Sequence, residues 1–242
     1  MKSNKLTKKI VKELIDRSFV RVDRVQFLSE VLASYCSNED LAEIAVKRPE
    51  EIVSTETLNK IADDILKDFQ LRTTLLCSGT NLLGKLTLYL SVPADFLAFW
   101  GQLLTMIQKL AYLYGWDSSF FGGNPTEETY ARLRLILGYA MGDPSCRFIL
   151  FESACDALPT VKYAAPDSSF RLKDPVMKKL LLALVANFAK AMIAGAIAKK
   201  NTLIGSGVSA AWSYASFRQI AVRIHALLRE SMYYRLERQI AN

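Results

Sequence analysis

The chain has 242 residues, of which 51% are hydrophobic and 23% are charged. This composition excludes an intrinsically disordered chain and fits one large or two small folded domains. Only 11 glycines and 7 prolines occur, so the frequent turns of a many-stranded β protein are missing. The composition therefore predicts an all-α protein, a single helical domain of roughly eight helices over residues 1–242.

The net charge of +7 comes from 31 lysines and arginines against 24 acidic residues. Such a charge is compatible with an anionic membrane surface or with nucleic acid. The basic residues are spread along the chain, and no RNP-type aromatic motif or zinc-finger spacing accompanies them. The pattern favours an anionic membrane surface or a membrane-protein partner over nucleic acid, and it leaves the oligomeric state open.

The cysteine and histidine content argues against a metal site. The four cysteines form no C-x-x-C pair, and a single histidine excludes a multi-histidine site. Neither a metal nor a cofactor is predicted. The first residues lack the apolar segment of a secretory signal. The expected location is therefore cytoplasmic, with reduced cysteines and with peripheral attachment at the inner face of the membrane.

The first predicted element is a basic amphipathic helix over residues 5–19, within a segment 1–20. Apolar residues recur at intervals of three and four, and lysines occupy the other face. Two interpretations stay open: the helix docks on its own domain, or it attaches to an anionic membrane surface. In the second case the membrane contacts are Lys5, Lys8, Lys9 and Lys12.

Capping signals predict the next helices. A second helix is expected over residues 22–35, and Ser37 with Asp40 resembles a capping box for a short third helix that stops before Pro49. Ser54 or Thr55 caps a longer helix to residue 79. Residues 81–92 are apolar and ambiguous between helix and extended chain.

A proline then marks the start of a helix over residues 93–114. Pro93 suits the first turn, and Asp95 favours the positive N-terminal end of the helix dipole. Gly115 is the predicted C-terminal stop. Residues 116–125 form a loop.

The second half of the chain predicts further helices and a hairpin. One helix begins at Thr126 and ends near residue 142, another covers residues 146–158, and residues 159–173 are irregular. Asp174-Pro175 starts a helix through residue 199. After a turn at residues 201–206 a last helix runs to about Arg238. The two last helices form a long antiparallel hairpin over residues 174–238, whose close seam is made by small residues: Ala191, Gly195, Gly207, Ala211 and Ala215.

Residues 180–198 are nearly long enough to cross a bilayer. Lys190 and Asn187 interrupt this stretch, and a central lysine costs about 2.5–3.5 kcal/mol on insertion. The segment is also rich in alanine, which contributes little transfer energy. A buried helix of a folded domain is therefore the preferred interpretation, with bilayer insertion as the alternative.

The search for catalytic chemistry yields two candidates. A Ser-His-Asp or Cys-His arrangement would have to use His225, the sole histidine, which is more simply a histidine of the last helix without a catalytic role. No phosphate-binding loop motif occurs. These absences favour a non-enzymatic protein. A hydrolase with an unrecognised site around Asp95 or His225 is the alternative.

Three polar residues lie in strongly apolar helices and define a candidate binding site. Asp95 and Gln102 are seven residues apart on one helix face, with Trp100 beside them, and Arg218 is a candidate partner for the carboxylate. In the simpler interpretation Asp95 stabilises its helix start and Arg218 is exposed. In the other, a polar cluster lines a pocket between helices. Tyr114 completes the predicted site.

Two stretches of the sequence resemble the bacterial EcsC family. The first contains Leu-Leu-Gly-Lys-Leu-Thr at residues 82–87, Val-Pro-Ala-Asp at 92–95, Ile107, Ala111 and Tyr-Gly at 114–115. The second runs from Ile197 to Ala215 and includes Gly-Ser-Gly at residues 205–207. The family is all-helical, poorly characterised and named from an operon with an ABC transporter linked to protein secretion. The resemblance implies an accessory protein without catalytic residues, in which Pro93, Asp95, Tyr114 and Gly115 shape a helix and its ends.

The sequence thus predicts a non-enzymatic, EcsC-like accessory protein that associates with a membrane, a lipid or a membrane-protein partner. A pore-forming or toxin-like protein, whose apolar hairpin inserts after a rearrangement, stands beside the hydrolase as an alternative.

Overall fold

The computed structural model describes residues 21–79, 94–117, 127–140, 144, 146–147, 150–151 and 202–241. Within these ranges the chain forms six α-helices and no β-strand, which confirms the predicted all-α class. The helices are α1 (Arg24–Leu32), α2 (Asn38–Glu43), α3 (Thr55–Gly79), α4 (Ala94–Leu113), α5 (Glu127–Ala140) and α6 (Thr202–Ala241), and a 3₁₀ turn, Pro49–Glu51, precedes α3. The expected total of roughly eight included helices at 5–19, 146–158 and 176–199, which lie wholly or mostly outside the described residues.

Side-chain caps start the first helices, as the sequence predicts. Ser37 and Asp40 form a reciprocal capping box at α2, in which each side chain accepts the other residue's backbone N–H at 3.2 Å. At α3 the Ser54 hydroxyl accepts the Thr57 N–H at 3.3 Å. Helix α1 is shorter than predicted at both ends: Asp23 accepts the Gln26 N–H and fixes the start, and the helix ends at Leu32.

Helix α4 ends in a Schellman motif. The Trp116 N–H bonds to the Ala111 carbonyl oxygen at 3.0 Å, and the Gly115 N–H bonds to the Tyr112 carbonyl oxygen at 3.2 Å. Gly115 has a φ of +83°, the left-handed conformation that this motif requires. The predicted stop at Gly115 is confirmed.

The helices pack around α6 and α3. Helix α3 lies against α6 and α4, α5 packs on α6, and α1 packs on α4. The apolar face of α3 is buried, with Leu58 fully enclosed and Phe69 at 3% exposure. Buried side chains of α4 and α6, among them Tyr114, Phe217 and Leu228, complete one hydrophobic core.

The predicted turn at residues 201–206 is wrong over 202–206, because α6 is helical from Thr202. Gly205 and Ser206 are weak helix formers, at a cost of up to about 1 kcal/mol for a glycine, and a long packed helix overrides this preference. The first arm of the predicted hairpin, residues 174–199, lies outside the described residues, so the hairpin and its seam stay predictions.

None of the described helices combines the length and the apolarity that crossing a bilayer requires. The stretch at residues 180–198, for which insertion was weighed, falls outside the described ranges. So does the basic segment 1–20 with Lys5, Lys8, Lys9 and Lys12.

Candidate functional site

A buried ion pair lies directly against the turn that ends α4. Arg235 of α6 pairs with Glu50 of the 3₁₀ turn, and the two side chains are only 3% and 2% exposed. Nη2 of Arg235 also donates to the Tyr114 carbonyl oxygen at 3.1 Å. The guanidinium therefore satisfies a carbonyl at the helix end while it compensates a buried carboxylate.

Gly115 lies so close to the side chains of Glu50 and Arg235 that a side chain at this position would collide with them. A Cβ atom at this position would lie 2.6 and 2.7 Å from the two carboxylate oxygens of Glu50 and would also collide with Nη2 of Arg235. The positive φ independently disfavours a side chain. The glycine is thus needed for both backbone conformation and space.

A second buried arginine joins three separate segments. The Arg24 guanidinium donates to the carbonyl oxygens of Ile44 at 2.7 Å, Lys47 at 3.0 Å and Trp116 at 3.2 Å. All three acceptors are neutral, so they satisfy N–H groups of Arg24 without neutralising its charge. Because the residue is only 8% exposed, burial lowers the pKa of Arg24, and the nearby Asp117 carboxylate opposes that shift.

These contacts enclose one wall of a cavity of about 150 Å³. The floor is buried and the rim, at Ala45, Val46, Lys47 and Asp117, is exposed. Among the described lining residues, five side chains are cationic and one, that of Asp117, is a carboxylate. The cationic lining residues are Arg24, Lys47, Arg48, Arg132 and Arg235.

Arg48 differs from the other cations of the lining. Lys47 pairs with Glu43, and Arg132 lies over the Trp116 ring at 5.5 Å. Arg48 is partly buried, and within the described part of the chain its side chain forms no hydrogen bond or ion pair. Burial, and next the positive charge of Arg235, lower the pKa of Arg48. Glu50, Glu51 and Asp117 oppose this shift from a distance, but no side chain in the described ranges contacts the Arg48 guanidinium as a hydrogen-bond or ion-pair partner.

A chain of polar side chains runs from His225 and the Tyr114 hydroxyl in the core towards the surface at Tyr233. The Tyr114 hydroxyl lies 2.6 Å from Nε2 of His225 and 3.1 Å from Oδ1 of Asn59. Because a hydroxyl has one hydrogen to donate, both bonds form together when Tyr114 donates to Asn59 and the protonated Nε2 of a neutral imidazole donates to Tyr114. Asn59 in turn donates to the Tyr233 hydroxyl at 3.2 Å.

Burial controls the protonation of this chain. It raises the pKa of Tyr114 far above the usual tyrosine value. It lowers the pKa of His225, an effect to which Arg229 adds and which Asp63 opposes. Both groups are therefore neutral near neutral pH. His225 is not among the residues that line the cavity.

The structure describes the side chains of three of the five predicted binding residues, Gln102, Tyr114 and Arg218. Asp95 and Trp100 lie in α4, where their side chains are outside the described set, and Gln102 is partly buried. Tyr114 is fully buried in the candidate site, whereas Arg218 of α6 is exposed. Of the five predicted binding residues, only Tyr114 is thus seen in the arginine cluster.

The arginines of the site were missed, although the sequence carries a signal for two of them. Arg24 stands three and four residues before Phe27 and Leu28, on the buried face of α1. Arg235 likewise follows Leu228 and Met232 on the buried face of α6. A charged residue on a helix stripe that is otherwise apolar predicts a buried charge with partners.

In the described ranges no group of three or more histidine, cysteine or acidic side chains could hold a metal ion. Comparison of the chain with protein-family models, with curated proteins and with solved structures finds no match. The candidate site is therefore interpreted from its own chemistry.

Proposed function

We propose that this chain is a non-enzymatic accessory protein of the EcsC-like type that binds an anionic membrane surface from the cytoplasmic side. One observation carries the proposal: a cationic cavity opens to solvent through an exposed rim. An arginine fork that faces such an opening is suited to the oxygens of an acidic headgroup. A membrane-protein partner with an acidic segment would use the same charges.

Two features of the chain support a lipid surface. Val46, at the rim of the cavity, is 85% exposed and stands next to Lys47, so an apolar and a cationic side chain face solvent together. The net charge of +7 and the lysines of the segment 1–20 add long-range attraction to anionic lipid. Each basic residue near the surface contributes about 1 kcal/mol to binding.

Vesicle co-sedimentation tests the proposal. The full chain should bind phosphatidylglycerol vesicles, bind phosphatidylcholine vesicles less, and lose binding as salt shortens the range of the attraction. Replacing Lys5, Lys8, Lys9 and Lys12 by glutamine should weaken binding, whereas replacing the same four by arginine should preserve it. Equal binding to neutral and anionic vesicles, or a glutamine variant that binds like the parent, would refute membrane attachment through these charges.

The hydrolase alternative would use His225 and the Tyr114 hydroxyl rather than the arginine-lined cavity. In the His225–Tyr114 pair Nε2 carries the proton and donates it, so this nitrogen is not placed to act as a general base, and His225 is only 8% exposed and is absent from the cavity lining. The buried imidazole is therefore not presented to a substrate in the cavity. The geometry therefore supports binding better than catalysis.

A further inference from the structure

The chemistry of the arginine-lined cavity defines its ligand more closely than as an anionic group in general. Arg24 donates only to neutral carbonyl oxygens, and Arg48 has no hydrogen-bonding partner in the described ranges. Nε of Arg235 is likewise buried without an acceptor there. Glu50 compensates one charge of the cluster, that of Arg235. Two guanidinium groups, those of Arg24 and Arg48, thus have no carboxylate in direct contact among the described residues and retain unused N–H donors, while Asp117 acts on both at longer range.

The size of the cavity limits what it can take. A volume of about 150 Å³ is about that of a cavity that holds one benzene molecule. It accommodates a single small group and not a lipid or a nucleotide as a whole. The ligand must therefore present its charge on a compact terminus that enters from the exposed rim.

A terminal phosphoryl group meets these requirements. A phosphate monoester carries a charge of about −1.5 to −2 at neutral pH and three acceptor oxygens. This charge suits two guanidinium groups that no carboxylate contacts directly among the described residues, and tetrahedral oxygens accept from arginine forks in a bidentate manner. A carboxylate supplies only one negative charge, and a phosphodiester likewise supplies one.

We propose that the cavity between residues 45–48 and the Gly115 turn binds a phosphate monoester, with Arg48 as its principal ligand and Arg24 as the charge beneath it. Lys47 lies at the exposed rim of the cavity. The monoester belongs either to a lipid headgroup or to a soluble molecule. In the first case the assignment rests on the proposed membrane function, and in the second it stands without it.

Isothermal titration calorimetry of the full chain with glycerol 3-phosphate, at constant ionic strength, tests the site. The parent should bind one equivalent with saturation. Arg48→Gln should weaken binding about tenfold or more, which corresponds to one charge-assisted hydrogen bond of about 1.5–3 kcal/mol. Arg72→Gln removes the same charge from an exposed position of α3, where the side chain is 62% exposed, and should bind like the parent.

A second pair of variants leaves the arginines untouched. Ala45 lies on the exposed rim of the cavity, so Ala45→Glu would place a carboxylate at its mouth. Ala45→Gln introduces the same shape without the charge. The glutamate variant should bind glycerol 3-phosphate more weakly than the glutamine variant, and both should fold, as circular dichroism can check. No saturable binding by the parent, or equal binding by both variants, would overturn the assignment.

Vesicles separate the two sources of the phosphoryl group. One set carries phosphatidic acid, a monoester, and the other carries enough phosphatidylglycerol, a diester, to match its surface charge. If the ligand is a lipid headgroup, the parent prefers phosphatidic acid and Arg48→Gln loses this preference. If it is a soluble monoester, glycerol 3-phosphate binding depends on Arg48 while the two vesicle types bind equally. Vesicle binding without any glycerol 3-phosphate binding would retain the membrane function and refute the phosphate site.

Discussion

Nη2 of Arg235 donates to the Tyr114 carbonyl oxygen at 3.1 Å, across 121 residues of sequence. The same nitrogen pairs with Glu50. One side chain of α6 therefore connects the C-terminal end of α4 to the 3₁₀ turn before α3. Since Gly115 and Trp116 contribute to the cavity lining, this contact determines the shape of the candidate site.

The first prediction concerns the crowded turn. Gly115→Ala should lower the free energy of unfolding by about 2–5 kcal/mol. The left-handed conformation costs a residue with a Cβ about 1–2 kcal/mol, and overpacking costs about 1–3 kcal/mol. Urea unfolding measures the change.

Gly115→Asn distinguishes the two causes. Asparagine adopts positive φ more readily than alanine, but its Cβ would meet the same oxygens of Glu50. If crowding dominates, asparagine is about as destabilising as alanine. An asparagine variant as stable as the parent would show that the backbone conformation alone requires glycine.

The second prediction concerns the buried ion pair. Glu50→Gln should destabilise the fold by about 3–5 kcal/mol, because it leaves the buried charge of Arg235 uncompensated. The double variant Glu50→Gln with Arg235→Met should be less destabilised than the two single changes predict together, and a double-mutant cycle gives the coupling.

The exposed pair of Lys67 with Asp64 is the matched control. Its side chains are 75% and 63% exposed, and such pairs contribute about 0–1 kcal/mol. Lys67→Met should therefore leave the urea midpoint nearly unchanged. A loss for Lys67→Met equal to that for Glu50→Gln would mean that burial does not explain the difference.

Local signals explain what could be predicted from the sequence. The capping box of Ser37 with Asp40 and the glycine stop at Gly115 depend on residues within one helical turn, so the sequence identifies them directly. The pair of Glu50 with Arg235 joins residues 185 apart, and no local pattern contains it. The position of Arg48 beside the cavity is likewise not recognisable from the sequence, because Arg235 of α6 comes near it only in the folded chain.

The third prediction concerns the pH dependence of stability. Burial lowers the folded-state pKa of His225 below the ordinary value of about 6.5. Between these two values the unfolded chain binds a proton that the folded chain does not, so stability falls as the pH drops below about 6.5. Above that value the contribution is fully retained.

Thermal unfolding from about pH 8 to about pH 5.5, which spans the ordinary histidine pKa, tests this. The parent should lose more stability over this interval than His225→Gln, whose amide keeps a donor towards Tyr114 without titrating. Identical pH profiles of the two proteins would contradict a neutral, buried imidazole.

The last prediction concerns Asp95 and Arg218, for which the sequence left two roles open. Asp95 is the second residue of α4, where the helix dipole stabilises a negative charge by about 0.3–1 kcal/mol. Arg218 is exposed. We therefore expect Asp95→Asn to cost no more than that dipole contribution, and Arg218→Gln to be nearly silent. A double-mutant cycle should give a coupling below about 0.5 kcal/mol, since larger values are found between residues in contact. A loss of several kcal/mol in either single variant, with strong coupling, would instead show a desolvated pair and would make the Asp95 face of α4 a second ligand site.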